Sequence, residues 1–160
     1  MASDKPKIKR ASISDLKEIE INIHNFNMPS PRNYKLVKHA NHEITFIAWS
    51  GKQIIGFISM VPKASEKTLE VVGLYLKTGH DDQGIGTRLT NMAKAFAKRE
   101  KYGFIKLYPG GGVVVRRNKL VEKKSHPFYD KMGFRWGVHR ERISHYLWEV
   151  PKRKIFRKKP

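Results

Sequence analysis

Cysteine is missing from this chain of 160 residues, which excludes disulfides, thiolate metal sites and a thiol nucleophile. No apolar run reaches the ~20 residues that a transmembrane helix needs. The first ten residues are polar and basic, unlike a secretory signal. These absences predict a soluble, cytoplasmic protein of a reducing compartment, with no membrane partner.

Acidic residues are also few, because 14 Asp and Glu stand against 33 Lys and Arg, for a formal net charge of +19. A surface of this sign attracts polyanions, chiefly nucleic acid. Solubility alone is served by roughly 2–8 net charges on a small domain. Two basic clusters stand out as candidate nucleic-acid contacts. One is a C-terminal tail, residues 151–160, and the other comprises Arg116, Arg117, Lys119, Lys123 and Lys124.

The length favours one domain, which we assign to residues 1–150, followed by the basic and presumed mobile tail at 151–160. Hydrophobic patterning predicts the order β-α-(α)-β-β-β-α-β-α-β-β, an α/β (α+β) protein with a mixed sheet. The first helix is expected to begin at Ser14, with an incomplete capping box, and to continue to the prolines at 29 and 31. The strongly apolar strand at residues 69–76 is expected to be central and buried on both faces.

Glycines 84 and 86 lie between that strand and a predicted helix at residues 85–101. A helix N-terminus presents unpaired backbone N–H groups and about half a positive charge, so phosphate is a natural ligand. Glycines let the backbone approach a ligand closely, and Thr87 adds a hydroxyl donor. Taken alone, this pattern is also compatible with an ordinary tight turn before a helix.

Two segments in the same chain resemble the motifs of one enzyme family. Residues 74–89 (LYLKTGHDDQGIGTRL) resemble motif A of the GNAT superfamily of acyl-CoA N-acyltransferases. Residues 128–134 (FYDKMGF) resemble its motif B, and the hairpin around Gly56 sits where the family has one. The resemblance covers about residues 44–136. It implies the GNAT fold, a mixed sheet that is splayed at the acyl-CoA cleft and carries helices on both faces.

The resemblance also implies how acetyl-CoA, or another acyl-CoA, is held. Pantetheine would pair with the backbone of the central strand at Leu74 and Leu76. A strand N–H would polarise the acyl carbonyl. The pyrophosphate would bind backbone amides of the loop and first helical turn, which are those of Asp82, Gln83, Gly84, Ile85, Gly86 and Thr87.

By the same resemblance Tyr129 is the general acid that protonates the departing thiolate. Glu70 aligns with the acidic residue that serves as base in the protein-lysine branch of the family. It is also the only acid in an otherwise apolar strand, although a solvated strand end explains it equally well. His80, His126 and His139 are rival bases. Their scattered positions have no metal-ligand spacing, so we predict no metal site.

Three features depart from the family pattern. Asp81 occupies the first position of motif A, where Arg or Gln is usual, and Asp82 follows it. These carboxylates repel a pyrophosphate, and we hypothesise that Gln83 and nearby basic residues compensate. Glu122 stands where many members carry a pantetheine-contacting asparagine. The segment 109–124 is longer and more basic than usual, and it is expected to border the acceptor together with the tail.

Three functions remain open at this point. The first is an N-acetyltransferase whose acceptor amine is on or near a nucleic acid: an aminoacyl-tRNA, a modified DNA base or a lysine of a nucleic-acid-binding protein. The second is an acetyltransferase of small amines or peptides. The third is a nucleic-acid-binding module of GNAT descent without catalysis. Either a monomer or a homodimer is compatible with the sequence.

Overall fold

The structure, a computed structural model, describes residues 5–26, 35–107, 115–116, 119–120, 127–138 and 144–152. Short 3-10 turns cover Ile23–Asn25, Val37–His39 and Ala64–Glu66. The helices are α1 (Ile13–Ile21), α2 (Ile85–Arg99) and α3 (Pro127–Lys131). The strands are β1 (Lys7–Arg10), β2 (Ile44–Ser50), β3 (Gln53–Lys63), β4 (Thr68–Leu76), β5 (Phe104–Leu107), β6 (Val115–Arg116), β7 (Lys119–Leu120), β8 (Arg135–Val138) and β9 (Ser144–Glu149).

Seven strands form one sheet in the order β1-β2-β3-β4-β5-β9-β8. β4 and β5 run parallel, whereas the other neighbours are antiparallel. Strands β6 and β7 form a separate two-stranded ribbon within the predicted insertion. The mixed sheet predicted from the sequence is therefore confirmed.

Helices cover both faces of this sheet. On one face Ile85, Leu89 and Phe96 of α2 are buried in a large apolar cluster. On the other face Leu16 and Ile19 of α1 pack in a second cluster that includes residues of β2 and β3. Each helix thus buries the apolar stripe that its sequence periodicity predicted.

The start and the end of α1 differ from the sequence prediction. Ser12, not Ser14, caps the helix: its hydroxyl accepts from the Asp15 N–H at 3.2 Å. The Asp15 carboxylate accepts from the Ser12 N–H at 2.8 Å, so the capping box is complete. The helix ends at Ile21 because the chain tightens into a 3-10 turn at residues 23–25.

Strand β4 is not buried along its whole length, which corrects a second prediction. Ser59 of β3 faces Gly73 while Met60 faces Val71, so Val72 is an extra, bulged residue. Val72 is 38% exposed. The described pairing of β4 with β5 covers Thr68 to Val71 and stops at this bulge. Its last partner there, Leu107, is also the last described residue of β5. The bulge locally bends β4.

Aromatic residues of the last two strands belong to the core, as the sequence suggested. Tyr146 is fully buried, and Trp136 and Trp148 pack against the cluster on the α2 face. In the part of the chain that the structure describes, no helix is long and apolar enough to span a membrane. The boundary between the domain and the tail stays a prediction, because residues 153–160 lie outside the described ranges.

Candidate active site

A cleft of about 600 Å³ opens beside the end of β4 that finishes with Leu76. Its walls are the C-terminal half of β4, the loop and first turn of α2, and helix α3. The volume is within the range of small-molecule and cofactor sites. The lining residues are Leu74, Tyr75, Leu76, Asp81, Asp82, Gly84, Ile85, Gly86, Thr87, Pro127, Phe128, Tyr129 and Lys131.

The N-terminus of α2 faces this cleft with its backbone amides available. Gly84 is the N-cap residue with a φ of +72°, a left-handed conformation that glycine adopts without strain. Within the described residues no side chain caps the helix. The first amides of α2 therefore retain the capacity to bind an anion, helped by the helix dipole.

Gly86 brings α2 into contact with α3. A Cβ at this position would meet the Phe128 ring at 3.5 Å, so the ring lies directly against the glycine. Phe128 in turn contacts the neighbouring Tyr129 ring edge-on, with centroids 5.1 Å apart. The small size of Gly86 thus sets how closely α3, which carries Tyr129, approaches the N-terminus of α2.

Tyr129 is enclosed by aromatic rings. Its ring centroid lies 5.3 Å from that of Tyr146 and 6.0 Å from that of Phe134. Burial, reinforced by the neighbouring phenols of Tyr75 and Tyr146, raises the pKa of Tyr129 to about 12. The phenol therefore keeps its proton at neutral pH.

Lys94 connects α2 to the segment that follows α3. Its ammonium group donates to the Met132 carbonyl, one residue beyond the end of α3. The same Nζ lies 5.3 Å from the Phe134 ring centroid and 4.8 Å from that of Trp148, within cation–π range. Burial lowers the pKa of Lys94. Together with the contact between Gly86 and Phe128, this residue joins α2 and α3 at two points.

Eight of the ten predicted site residues line this one cleft. Gln83 is not among them: its side chain donates to the Gly79 carbonyl at 3.4 Å and so closes the loop upon itself. Glu70 is the other exception. It precedes the bulge and faces Lys106 in the β4–β5 register. Because strand side chains alternate, Glu70 lies on the face opposite to Leu69 and Val71, which join the α2-side core.

Tyr75 lines the cleft but was not singled out in the sequence. Its ring packs on Phe57, with centroids 5.6 Å apart, and burial raises the pKa of Tyr75. The signal that could have revealed it is its position between Leu74 and Leu76, the residues assigned to the pantetheine.

The rival histidines receive unequal support. His80 is half-buried in the loop before α2, and its Nδ1 has no hydrogen-bond partner within the described residues. His126 and His139 lie outside those residues, as do Glu122, Arg117, Lys123 and Lys124. No group of three His, Asp or Glu side chains that could hold a metal occurs in the described ranges.

The fold and the cleft define an α/β protein that can hold an elongated, phosphate-bearing ligand beside an open strand. The sequence model of the acetyltransferase (GNAT) domain matches residues 41–136. The chain therefore belongs to the GNAT acetyltransferase family. This confirms the predicted family and, at the level of the family, the enzyme class of acyl-CoA-dependent N-acyltransferases.

Solved structures share this fold over most of the chain. PaiA N-acetyltransferase from Thermoplasma acidophilum, solved with coenzyme A, is 21% identical with a TM-score of 0.66, covering 90% of this chain and 98% of its own. A GNAT N-acetyltransferase from Escherichia coli in complex with CoA is 14% identical with a TM-score of 0.68, covering 92% and 82%.

The ribosomal-protein-S18-alanine N-acetyltransferase from Escherichia coli is 10% identical with a TM-score of 0.66, covering 92% and 95%. At these identities the similarity establishes the fold. No curated protein sequence matches the chain significantly.

Proposed function

We propose that the protein transfers an acetyl group from acetyl-CoA to an amine that is carried on or near a nucleic acid. The observation that carries this proposal is the cleft itself. Its lining brings together an uncapped helix N-terminus, the C-terminal half of β4 and a protonated phenol.

The cofactor assignment follows from the order of these groups along the cleft. The amides from Asp82 to Thr87 would hold the pyrophosphate. Leu74 and Leu76 line the cleft beside these amides, which suits contact with pantetheine. CoA in two solved relatives supports the same ligand class.

The charges at the phosphate end are unusual for such a ligand. Asp81 and Asp82 line the cleft and are exposed, whereas Lys131 is the one cation that the described residues contribute to the lining. Water and salt screen exposed charges, so the two carboxylates weaken the binding of a pyrophosphate without preventing it. Gln83, held by Gly79, supports the loop rather than replacing an arginine at this position.

The acetyl thioester supplies an electrophilic carbonyl carbon to the attacking amine. The backbone N–H of Leu74 would stabilise the negative charge that develops on the carbonyl oxygen. Tyr129 would donate its phenolic proton towards the departing sulfur. Its raised pKa keeps the phenol protonated at neutral pH, and it also makes the proton harder to give up, so transfer must coincide with the growth of negative charge on the sulfur.

Glu70 would remove the proton from the acceptor amine through an intervening water. It lies at the closed end of the splay, on the face of β4 opposite to the α2-side core. A base on that face suits an acceptor that approaches from the side opposite to α2. His80 is the alternative base, since it belongs to the loop before α2 and its Nδ1 is available.

The nucleic-acid context is supported by the net charge of +19. Among the described residues, the lining of the cleft contains two carboxylates and one lysine. Many other cations are exposed on the described part of the protein, where they can attract a polyanionic acceptor.

The test combines a binding measurement with a transfer measurement. Calorimetric titration should show that CoA and acetyl-CoA bind, and radiolabelled acetyl-CoA is then offered separately to tRNA, DNA, protein and small-amine pools. Label on a nucleic acid or on a nucleic-acid-binding protein is the expected result. Label confined to small amines would favour the second function.

Two further outcomes oppose the proposal. Salt-sensitive binding of nucleic acid without consumption of acetyl-CoA would identify a non-catalytic module. Failure of CoA to bind at any concentration would remove the cofactor assignment. The control variant is Asp130→Asn, an exposed change on α3 outside the lining, which should bind CoA and transfer the acetyl group as the wild type does.

A further inference from the structure

We infer that the end of the sheet opposite to the cleft is a docking surface for the phosphate backbone of a nucleic acid. We call it the lysine end. It consists of five exposed lysines at the ends or beginnings of neighbouring elements: Lys63, Lys67, Lys98, Lys101 and Lys152. The claim that this surface presents an acceptor amine to the cleft rests on the proposed function. The claim that it binds nucleic acid does not.

Backbone hydrogen bonds bring three separate segments together here. The Gly103 N–H donates to the Lys67 carbonyl at 2.7 Å, just before β5 and β4 begin. The Val150 N–H donates to the Gly103 carbonyl at 2.9 Å, so the end of β9 lies at the same place. Lys67, Lys101 and Lys152, which are far apart in sequence, therefore become neighbours at one end of the sheet.

Lys67 and Lys101 have backbone conformations that lysine rarely adopts. Their φ angles are +50° and +62°, in the left-handed region that favours glycine. Lys67 follows a 3-10 turn, and Lys101 follows the end of α2, both of which are positions where glycine is the common residue. At both positions the chain carries a cation where an uncharged glycine would fit with less strain.

A simpler explanation accounts for only part of the charge. Lys98 belongs to the last turn of α2, where cations interact favourably with the helix dipole. Arg99 is paired with Glu100 at 2.8 Å and is therefore partly neutralised. The dipole also favours Lys101, which follows the end of α2, but it does not explain Lys67, which follows a 3-10 turn. Glu66 and Glu149 are the other exposed acids at this end.

The sequence adds to this charge directly after the last described residue. Lys152 is followed by Arg153, Lys154, Arg157, Lys158 and Lys159. Val150, two residues before Lys152, is hydrogen-bonded to Gly103. A concentration of positive charge at one place favours a polyanion over isolated acidic groups.

The distance to the cleft sets the kind of partner. Strand β4 leads from Lys67 to the loop of Asp81 and Asp82, and its nine residues span about 26 Å at roughly 3.3 Å per residue. A partner that contacts the lysine end while presenting an amine at the cleft must bridge this length. A structured RNA or a DNA duplex does so, and a free small amine does not.

The test uses the double variant Lys67→Gly/Lys101→Gly in the full chain. Glycine removes both charges and relieves both left-handed conformations, so the melting temperature should equal or exceed that of the wild type. Binding of a labelled RNA stem-loop and of a labelled DNA duplex is measured by fluorescence anisotropy from about 0.05 to 0.2 M salt. We expect the affinity to fall about tenfold and the salt slope to decrease by about 1.4–1.8, as for two lost phosphate contacts.

The matched control is Lys7→Ala/Lys52→Ala, which removes the same charge at the opposite end of the sheet. Lys7 of β1 pairs with Trp49 of β2, and Lys52 lies in the turn between β2 and β3. This control should lose less than threefold. An equal loss in both double variants would show that the whole surface binds non-specifically and would overturn the proposal.

Two other results would also overturn it: no binding of either probe by the wild type at low salt, or binding of anionic phosphatidylserine vesicles in preference to both probes. Acetyl transfer to spermine, a small amine, distinguishes a failure of the lysine end from a failure of the proposed function. If the wild type acetylates spermine, the glycine variant should do so equally well. If the wild type does not acetylate spermine, the binding comparison still decides the role of the lysine end.

Discussion

The two ends of strand β4 differ in both pairing and charge. At the end that begins with Thr68, the strand is hydrogen-bonded to β3 and β5 and exposed lysines surround it. At the end that finishes with Leu76, the strand is paired with β3 and lines the cleft, and two aspartates follow in the loop. The single bulged residue Val72 separates these two environments.

This difference explains how one strand serves the fold and the site together. The paired half is a conventional part of the core, with Leu69 fully buried. The other half pairs with β3 and also lines the cleft. In the proposed function this half contacts the cofactor.

The largest effect is expected from Tyr129→Phe, which removes the phenol at the open end. We expect kcat to fall by about 10²–10³-fold, the usual range for a lost general acid. The dissociation constant of CoA should change little, because the ring remains. Steady-state kinetics and calorimetry measure both quantities.

Tyr102→Phe is the matched control at the paired end, where the Tyr102 ring stacks on Phe96 with centroids 6.4 Å apart. It should leave kcat within twofold of the wild type. A kcat for Tyr129→Phe within threefold of the wild type would contradict the acid role.

A pair of glycine substitutions compares the packing of the two ends. In Gly56→Ala the new Cβ would lie 2.8 Å from Leu76 Cδ2, and 3.3 Å from both Ile85 and Leu89. Leu76 must move towards the cleft, so we expect the free energy of unfolding to drop by about 1–2 kcal/mol and CoA affinity to weaken. Chemical denaturation and calorimetric titration measure the two effects.

The companion change is Gly103→Ala at the paired end, where the nearest atom would be the Lys67 carbonyl oxygen at 3.6 Å. This is an ordinary contact, so stability and CoA affinity should be nearly unchanged. Equal losses in the two variants would mean that Leu76 has no special connection to the cleft.

A smaller effect is expected from Asp82→Asn. Asp82 has a φ of +60°, which asparagine tolerates well, so the change removes a charge and preserves the backbone. We expect CoA to bind about threefold more tightly at low salt and the gain to disappear at high salt. Unchanged affinity at low salt would indicate that the pyrophosphate lies away from this carboxylate.

A further effect concerns alkaline pH. The pKa of Tyr129 is about 12 in the folded protein, against an ordinary value of about 10 in the unfolded chain. Between pH 10 and 12 the unfolded chain loses this proton first, so stability is lost as the pH rises through that interval. The free energy of unfolding of the wild type should therefore fall more steeply there than that of Tyr129→Phe. Parallel curves would contradict the assigned shift.

Sequence patterns predicted the elements that follow a simple period. The apolar positions of α2, such as Ile85, Leu89 and Phe96, are buried as the helical spacing indicated. The loop at Gly84 and the phenol at Tyr129 were recognised from two family motifs, and they do line one cleft. Their chemical roles stay predictions, since these depend on ligands and rates rather than on position.

The remaining features depend on contacts that a single sequence conceals. Val72 is one apolar residue among several, so the period of the strand gives no sign that it is bulged. Ser12 and Ser14 are both plausible caps, and only the pairing of Ser12 with Asp15 distinguishes them. Lys67 and Lys101 occupy turn positions where glycine is expected, so their conformations could not be inferred from residue type.

Lys94 has a consequence for the length of acceptable cofactors. Because it fastens the end of α3 to α2, while Phe128 rests on Gly86, the two walls move as one body. The distance between the phosphate-binding N-terminus of α2 and the Tyr129 phenol is then fixed. A thioester on an arm shorter or longer than pantetheine would bind at the first position without reaching the second.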